Sequence, residues 1–400
     1  MSKRVFVTGM GLISGIGKDL SENRLSLLQG TSGIGEIRYI ETHLKGEIPV
    51  SEVKFSFHEL VALAGIEDPE GYSRNTLLGL IAAREAYTHA RLDRISRLRT
   101  GLISATTVGG MDQCELYYED FLTNDSKNIY IETYDCADST EKIAASLGIT
   151  DYMTTISTAC SSAANAILYG ARLIKAGFLD RVVAGGTESL TKFHLNGFNA
   201  LKILDKGHSK PFDARRNGIN LGEGAAYVIL ESEEASREGN RERIAELVGY
   251  GNSCEAFHQT ASSPDGTGPF LAMKQALQMS GLSASDIDYI NAHGTGTDNN
   301  DLSEGIAIQR LFGDHIPKVS STKPFTGHTT SAAGSTEAIL AILCLQESVI
   351  LPNLNFEVPM PELQFTPVKE LIRDITVNHV MSNSFGFGGN DSSLIFKKVF

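Results

Sequence analysis

The chain has 400 residues, 42% of them hydrophobic and 21% charged, and 35 basic against 48 acidic side chains leave a net charge of −13. That describes a globular chain with room for a large core and excludes a general nucleic-acid surface. Five cysteines, an odd number with no CxxC pair, argue against a disulfide framework or a cysteine metal site, and no apolar run approaches the ~18 residues that span a bilayer.

The chain opens with Arg4-Val5-Phe6-Val7-Thr8-Gly9-Met10-Gly11, an apolar strand ending in glycines, entered without a signal peptide. A nucleotide-binding turn would need a third glycine and a later acidic residue. Neither is present, so a tight turn into a helix near 19–28 is the better reading. Residues 31–75 read as irregular and 75–89 as a helix. A second strand, 100–110, also ends in glycines, and 111–140 reads as a helical excursion over the surface. Thr154-Thr155-Ile156-Ser157-Thr158-Ala159-Cys160 is β-branched and extended. From Cys160 the pattern turns helical, with Ala164, Ile167, Leu168, Ala171 and Ile174 on one face and Gly177 as a stop. Further strands follow at 182–188 and 224–231, with a charged helix from about 233 to 240.

Near residue 245 the chain starts again. Glu246-Leu247-Val248-Gly249-Tyr250-Gly251 echoes the opening strand. Val319-Ser320-Ser321-Thr322-Lys323, ahead of an Ala-rich helix at 332–345, echoes the Cys160 region, and Gly386-Phe387-Gly388-Gly389 echoes Gly222-Glu223-Gly224. Three echoes in one order predict two copies of an α/β unit, 1–245 and 246–400, with mostly parallel sheets covered by helices.

A thiol at a strand-to-helix junction meets unpaired N–H groups and the positive end of the helix dipole, so Cys160 is expected to favour the reactive thiolate. Two histidines also sit on glycine-flanked loops, in His293-Gly294-Thr295-Gly296-Thr297 and Lys323-Pro324-Phe325-Thr326-Gly327-His328. The run Asn383-Ser384-Phe385-Gly386-Phe387-Gly388-Gly389 can set backbone N–H groups against a reacting oxygen.

Together, and almost end to end, these motifs resemble the elongating β-ketoacyl-acyl-carrier-protein synthases of the Cys-His-His type. The resemblance implies the thiolase fold, two duplicated α/β halves in an αβαβα core, and usually a homodimer. It implies decarboxylative Claisen condensation of an acyl-enzyme thioester with malonyl-acyl-carrier protein. Cys160 is then the nucleophile, and His293 and His328 face the malonyl thioester. Lys323 and Glu337 form a supporting ion pair, and the N–H groups of Cys160 and Phe387 form the oxyanion hole. Val108, Phe198 and Phe387 line the acyl channel, and Thr295 and Thr297 bind substrate. No metal or redox cofactor is implied, and a cytoplasmic enzyme is expected.

The acidic carrier calls for a basic docking surface, for which Lys202, Lys206, Lys210, Arg215 and Arg216 are the candidates. Two features depart from the family's pattern. The stretch before Asn75 is acidic, with Arg74 alone among Glu67, Asp68 and Glu70, and Gly389-Asn390-Asp391 stands where Gly-Thr-Asn is usual. Both point to an alternative, a pathway-specific ketosynthase of polyene or polyketide synthesis paired with a chain-length-factor-like homologue. A thiolase would need a second cysteine beyond Cys344, a chain-initiating synthase asparagine at 328, and a non-catalytic subunit would lack Cys160.

Overall fold

Ten strands hydrogen-bond into one sheet in a computed structural model that describes residues 3–92 and 98–399. They are β1 (Val5–Ser14), β2 (Thr100–Ala105), β3 (Tyr152–Ile156), β4 (Arg181–Glu188), β5 (Gly224–Ser232), β6 (Ala245–Cys254), β7 (Tyr289–Asn291), β8 (Lys318–Ser320), β9 (His379–Gly386) and β10 (Asn390–Lys398). The order is β3-β2-β4-β5-β1-β6-β10-β9-β7-β8. It reads alike in both directions from the β1–β6 seam. The echoed segments occupy matching places: β1 with β6, β5 with β10, β3 with β8.

The sheet is mixed, which corrects the expectation of mostly parallel strands. β2 pairs parallel with β3 and β4, and β7 with β8 and β9. The pairings β1–β5, β1–β6, β4–β5, β6–β10 and β9–β10 are antiparallel. The short turn Phe387–Gly389 joining β9 to β10 leaves no length for a crossover, so those two strands must run antiparallel.

The helices Ser162–Lys175 and Ala333–Glu347 pack in the main apolar core together with side chains from strands of both halves. The helix Arg74–His89 packs on the opposite face of the first half, and Thr267–Ser280 with Asp298–Phe312 on that of the second. The result is the layered α/β arrangement of the thiolase-like fold.

β1 runs through its glycines instead of turning at them. A Cβ on Gly9 or Gly11 would stand 2.4 Å from the Ala86 carbonyl oxygen or 2.1 Å from that of Ala82. Gly249 and Gly251 of β6 meet Ala276 and Ala272 of the helix Thr267–Ser280 in the same way, at 2.3 Å and 2.1 Å. The repeated Gly-x-Gly therefore lets a helix lie directly on its strand. The segment read as irregular also contains a helix, Phe57–Ala64, started by a capping box between Ser56 and Glu59.

Candidate active site

The two central helices bring the site together. A Cβ on Gly334, in the first turn of one, would lie 2.5 Å from the Ala164 backbone nitrogen in the first turn of the other. Their N-termini therefore nearly touch. Cys160 lies two residues ahead of the first helix and His328 five ahead of the second. Ala159 holds a left-handed backbone, φ 51°, just before the cysteine. Thr158 N donates to Ser162 Oγ (2.8 Å) and Ser161 Oγ to the Thr158 carbonyl (2.8 Å), which fixes this turn. His328 is pinned through its backbone: its N–H donates to Asn220 O (2.8 Å) and its carbonyl accepts from Gly222 N (2.9 Å).

His328 Nε2 stands 3.0 Å from Cys160 Sγ, and the His293 ring meets the His328 ring edge-on with centroids 5.3 Å apart. The sulfur and one nitrogen of each histidine lie within 4.8 Å of one another, a donor set able to ligate a soft divalent metal. Lys323 Nζ lies 3.1 Å from His293 Nδ1 and also donates to the His293 carbonyl and to Glu337 Oε1. An ammonium can only donate, so His293 Nδ1 accepts and the ring proton sits on Nε2. Glu304, which the sequence reading did not single out, accepts from His293 N (2.9 Å) and Gly294 N (2.8 Å). Its place on a helix 11 residues after His293 was the available signal.

Burial governs the electrostatics. It pushes the Cys160 thiol up to about 11, against the pull of Lys323 and of the backbone N–H groups of Phe387 and Cys160 itself. The expected preference for thiolate is thus opposed in the resting site, because burial outweighs Lys323 and the backbone N–H groups. Desolvation first, then the Lys323 charge, holds both His293 and His328 well below the ordinary histidine value, so both are neutral. Burial lifts Glu337 to about 7 although Lys323 opposes it.

A cavity of ≈ 260 Å³ opens from Cys160, His293 and His328. Phe198, Ile219, Phe385 and Phe387 give its apolar wall, and Phe198 stacks on Phe387 at 5.8 Å. Thr295, Thr297, Asn217, Asn299 and Thr260 give it a polar side. Val108 is buried in the turn after β2 and does not line this cavity.

The basic candidates separate. Lys202 is exposed and lines the cavity, and Lys206 is exposed nearby in sequence. Arg215 and Lys210 both reach Glu357, Lys210 at 3.7 Å. Arg216 is turned inward onto the carbonyls of Asp213, Thr297 and Asp298. Arg74 is buried against Glu223 and offers a carrier no charge.

Residues 2–236 match the family model described as "Beta-ketoacyl synthase, N-terminal domain" and 244–357 the one described as "Beta-ketoacyl synthase, C-terminal domain". The chain is 32% identical over 416 residues to the 3-oxoacyl-[acyl-carrier-protein] synthase 2 of Staphylococcus aureus, covering 99% of each. Among solved structures it resembles the ishigamide ketosynthase/chain length factor, with a TM-score of 0.93, 29% identity and all of both chains covered. It also resembles a ketosynthase in complex with its chain length factor from Xenorhabdus doucetiae, with a TM-score of 0.86 and 29% identity over 99% of this chain and 98% of that one.

Proposed function

The chain belongs to the β-ketoacyl synthase family, and from that membership we propose how its buried residues divide the condensation reaction between them. As an acyltransferase of this family it joins an acyl-enzyme thioester to a malonyl-acyl-carrier thioester, with loss of carbon dioxide. Cys160 Sγ attacks the acyl thioester carbonyl. Because burial holds the sulfur as a thiol, a proton acceptor must stand beside it, and the neutral His328 Nε2 at 3.0 Å is that group. The proton passes on to the departing carrier thiolate. The N–H groups of Cys160 and Phe387 receive the charge on the acyl oxygen. In the second half-reaction His293, with its proton on Nε2, donates to the malonyl thioester oxygen as carbon dioxide leaves and the enolate forms, and His328 joins it in the tautomer that carries its single proton on Nε2 in place of the one that accepts from Cys160. Lys323 and Glu337 hold His293 in that tautomer.

The observation that carries this reading is the short contact between Cys160 and a neutral His328 at the base of an open cavity. Intact-protein mass after mixing with acyl carriers of C2 to C16 tests it. The expected result is an acyl adduct on the native protein and none on Cys160→Ala, whose condensation should fall by roughly 10³-fold or more. Normal elongation by Cys160→Ala would overturn the assignment.

The polar side of the cavity, with Thr295 and Thr297, suits the amide-bearing arm of a carrier, and Lys202 and Lys206 suit its acidic surface. We take 1–245 and 246–400 as two copies of one unit and a reducing, cytoplasmic compartment as the setting for five unpaired cysteines. The partner is a second copy or a homologous chain: β3 ends the sheet, and Leu116, Tyr118, Phe121 and Leu122 are exposed on the surface excursion. The likeness to two ketosynthases described with chain length factors favours the second reading, a specialised synthase with such a partner, over housekeeping elongation.

A further inference from the structure

The Asn390-Asp391 step departs from the family's pattern, and the chemistry above does not use it. Asn390 Oδ1 accepts from Ser161 Oγ (2.8 Å), Asn165 Nδ2 (2.8 Å) and Asn252 Nδ2 (3.0 Å), so it knits β10 to the turn that carries Cys160. Asp391 is the opposite case. It is fully buried, paired across the sheet with Ser253 and Phe385, and neither of its carboxyl oxygens has a hydrogen-bond partner among the described residues.

Its titratable neighbours are acids. A Cβ on Gly268 would lie 2.1 Å from Asp391 Oδ2 and 2.8 Å from Glu255 Oε2, so the two carboxyl groups share the space where the helix Thr267–Ser280 has no side chain. Glu255 already accepts from Ser263 N (2.9 Å), Ser263 Oγ (2.6 Å) and Gly268 N (3.0 Å), which suits the ionised form. Asp391 accepts from nothing among the described residues. Burial first, then the charges of Glu255 after β6 and Glu304 from the helix Asp298–Phe312, lift its carboxyl to about 9, and no cation among the described residues acts against them. Two carboxyl groups this close are stable when they hold one proton between them, and the donors around Glu255 leave that proton on Asp391.

We propose that Asp391 is a positioning residue: it stays a neutral carboxylic acid whose O–H donates to the Glu255 carboxylate, latching the turn beside the cysteine to the cavity wall. The backbone shows what the latch joins. Glu255 N donates to Gly389 O (3.1 Å) and Gly388 N to Gln259 O (2.8 Å), so the turn Phe387–Gly389 is held by the segment that leads into Thr260, Ala261 and Ser262 of the wall. Loss of the proton sets two carboxylates against each other and draws the Phe387 N–H away from the cysteine.

Asp391→Asn keeps the shape and a donor but cannot ionise. Wild type and D391N are melted from about pH 5 to about pH 10. The folded value lies above the ordinary 3.8, so the stability that Asp391 contributes is complete below 3.8 and is lost as pH rises toward about 9. The gap in melting temperature in favour of D391N should therefore be smallest at about pH 5 and widen until about pH 9. With a value of about 9, about a tenth of Asp391 keeps its proton at pH 10. Wild type should then lose roughly tenfold more condensation rate than D391N between about pH 8 and about pH 10. Glu255→Gln removes a charge that lifts Asp391 and leaves no facing carboxylate to repel it, so the alkaline limb should shrink and move to lower pH. Parallel melting curves overturn the neutral acid, and identical alkaline limbs beside diverging melting curves overturn the latch. The activity arm rests on the reading of Cys160 as nucleophile, whereas the melting arm does not, so the two failures are distinguishable.

Discussion

At the scale of single residues the site is a problem of desolvation. A thiol near 11 and two imidazoles below their ordinary range describe a resting site that carries little charge on its reacting groups. Such a site makes charge only when substrate brings it, and its N–H donors then act where no water competes. His328 is the residue asked to serve both half-reactions. His328→Ala should slow acyl transfer to Cys160, measured as intact mass, and malonyl decarboxylation, measured as carbon dioxide release, each by roughly 10²- to 10⁴-fold. Undiminished acyl transfer by that variant would argue against His328 as the proton acceptor of Cys160. Depressed histidine values also set the direction of the pH dependence: both rings stay neutral as pH falls through 6.5, so decarboxylation should hold its rate down to about pH 6.

At the scale of elements, close backbone approach decides the geometry. Gly9 and Gly11 let one helix lie on β1, Gly249 and Gly251 let another lie on β6, and Gly334 lets the two central helices cross at their first turns. The same reasoning bears on Val108, which sits in the turn after β2 and outside the cavity that opens from Cys160. If the acyl chain threads past the catalytic cysteine to that turn, Val108→Phe shortens the longest accepted chain. Each excluded methylene is worth ~1–3 kcal/mol of discrimination. Competition between carriers of increasing acyl length measures this, and an unchanged profile would place the end of the chain before residue 108.

At the scale of the whole molecule, a chain of net charge −13 has to meet an acidic carrier. That requirement puts weight on the few exposed cations near the cavity. Lys202 lines the cavity and Lys206 lies beside it in sequence, while Arg215, Arg216 and Lys210 are engaged by acceptors of the protein itself. Lys202→Glu with Lys206→Glu should raise KM for acyl carrier about tenfold with little change in kcat, and the effect should shrink as salt is added. The matching double change at Arg215 and Lys210 should have less effect on KM. Equal effects would mean that docking is spread over the whole basic segment.

The local patterns of this chain were legible without coordinates wherever a short range of sequence sets the physics. The helices Arg74–His89 and Ala333–Glu347 follow from periodicity, and the Cys160 turn from an abrupt change of pattern. The duplication follows from the repeated Gly-x-Gly and from glycine runs ahead of apolar strands, and the family from motifs whose order is itself the signal. What only the tertiary structure decided depends on groups far apart in the chain. The strand directions are one example, since pairing across the sheet is not written in any one strand. The protonation of Cys160 is another, because a helix terminus can be read locally whereas the exclusion of water cannot. Glu304 beneath His293, and Asp391 facing Glu255, belong to the same class. A carboxyl group in sequence looks like any other, and its chemistry is set by which distant groups fold against it and how far they exclude water.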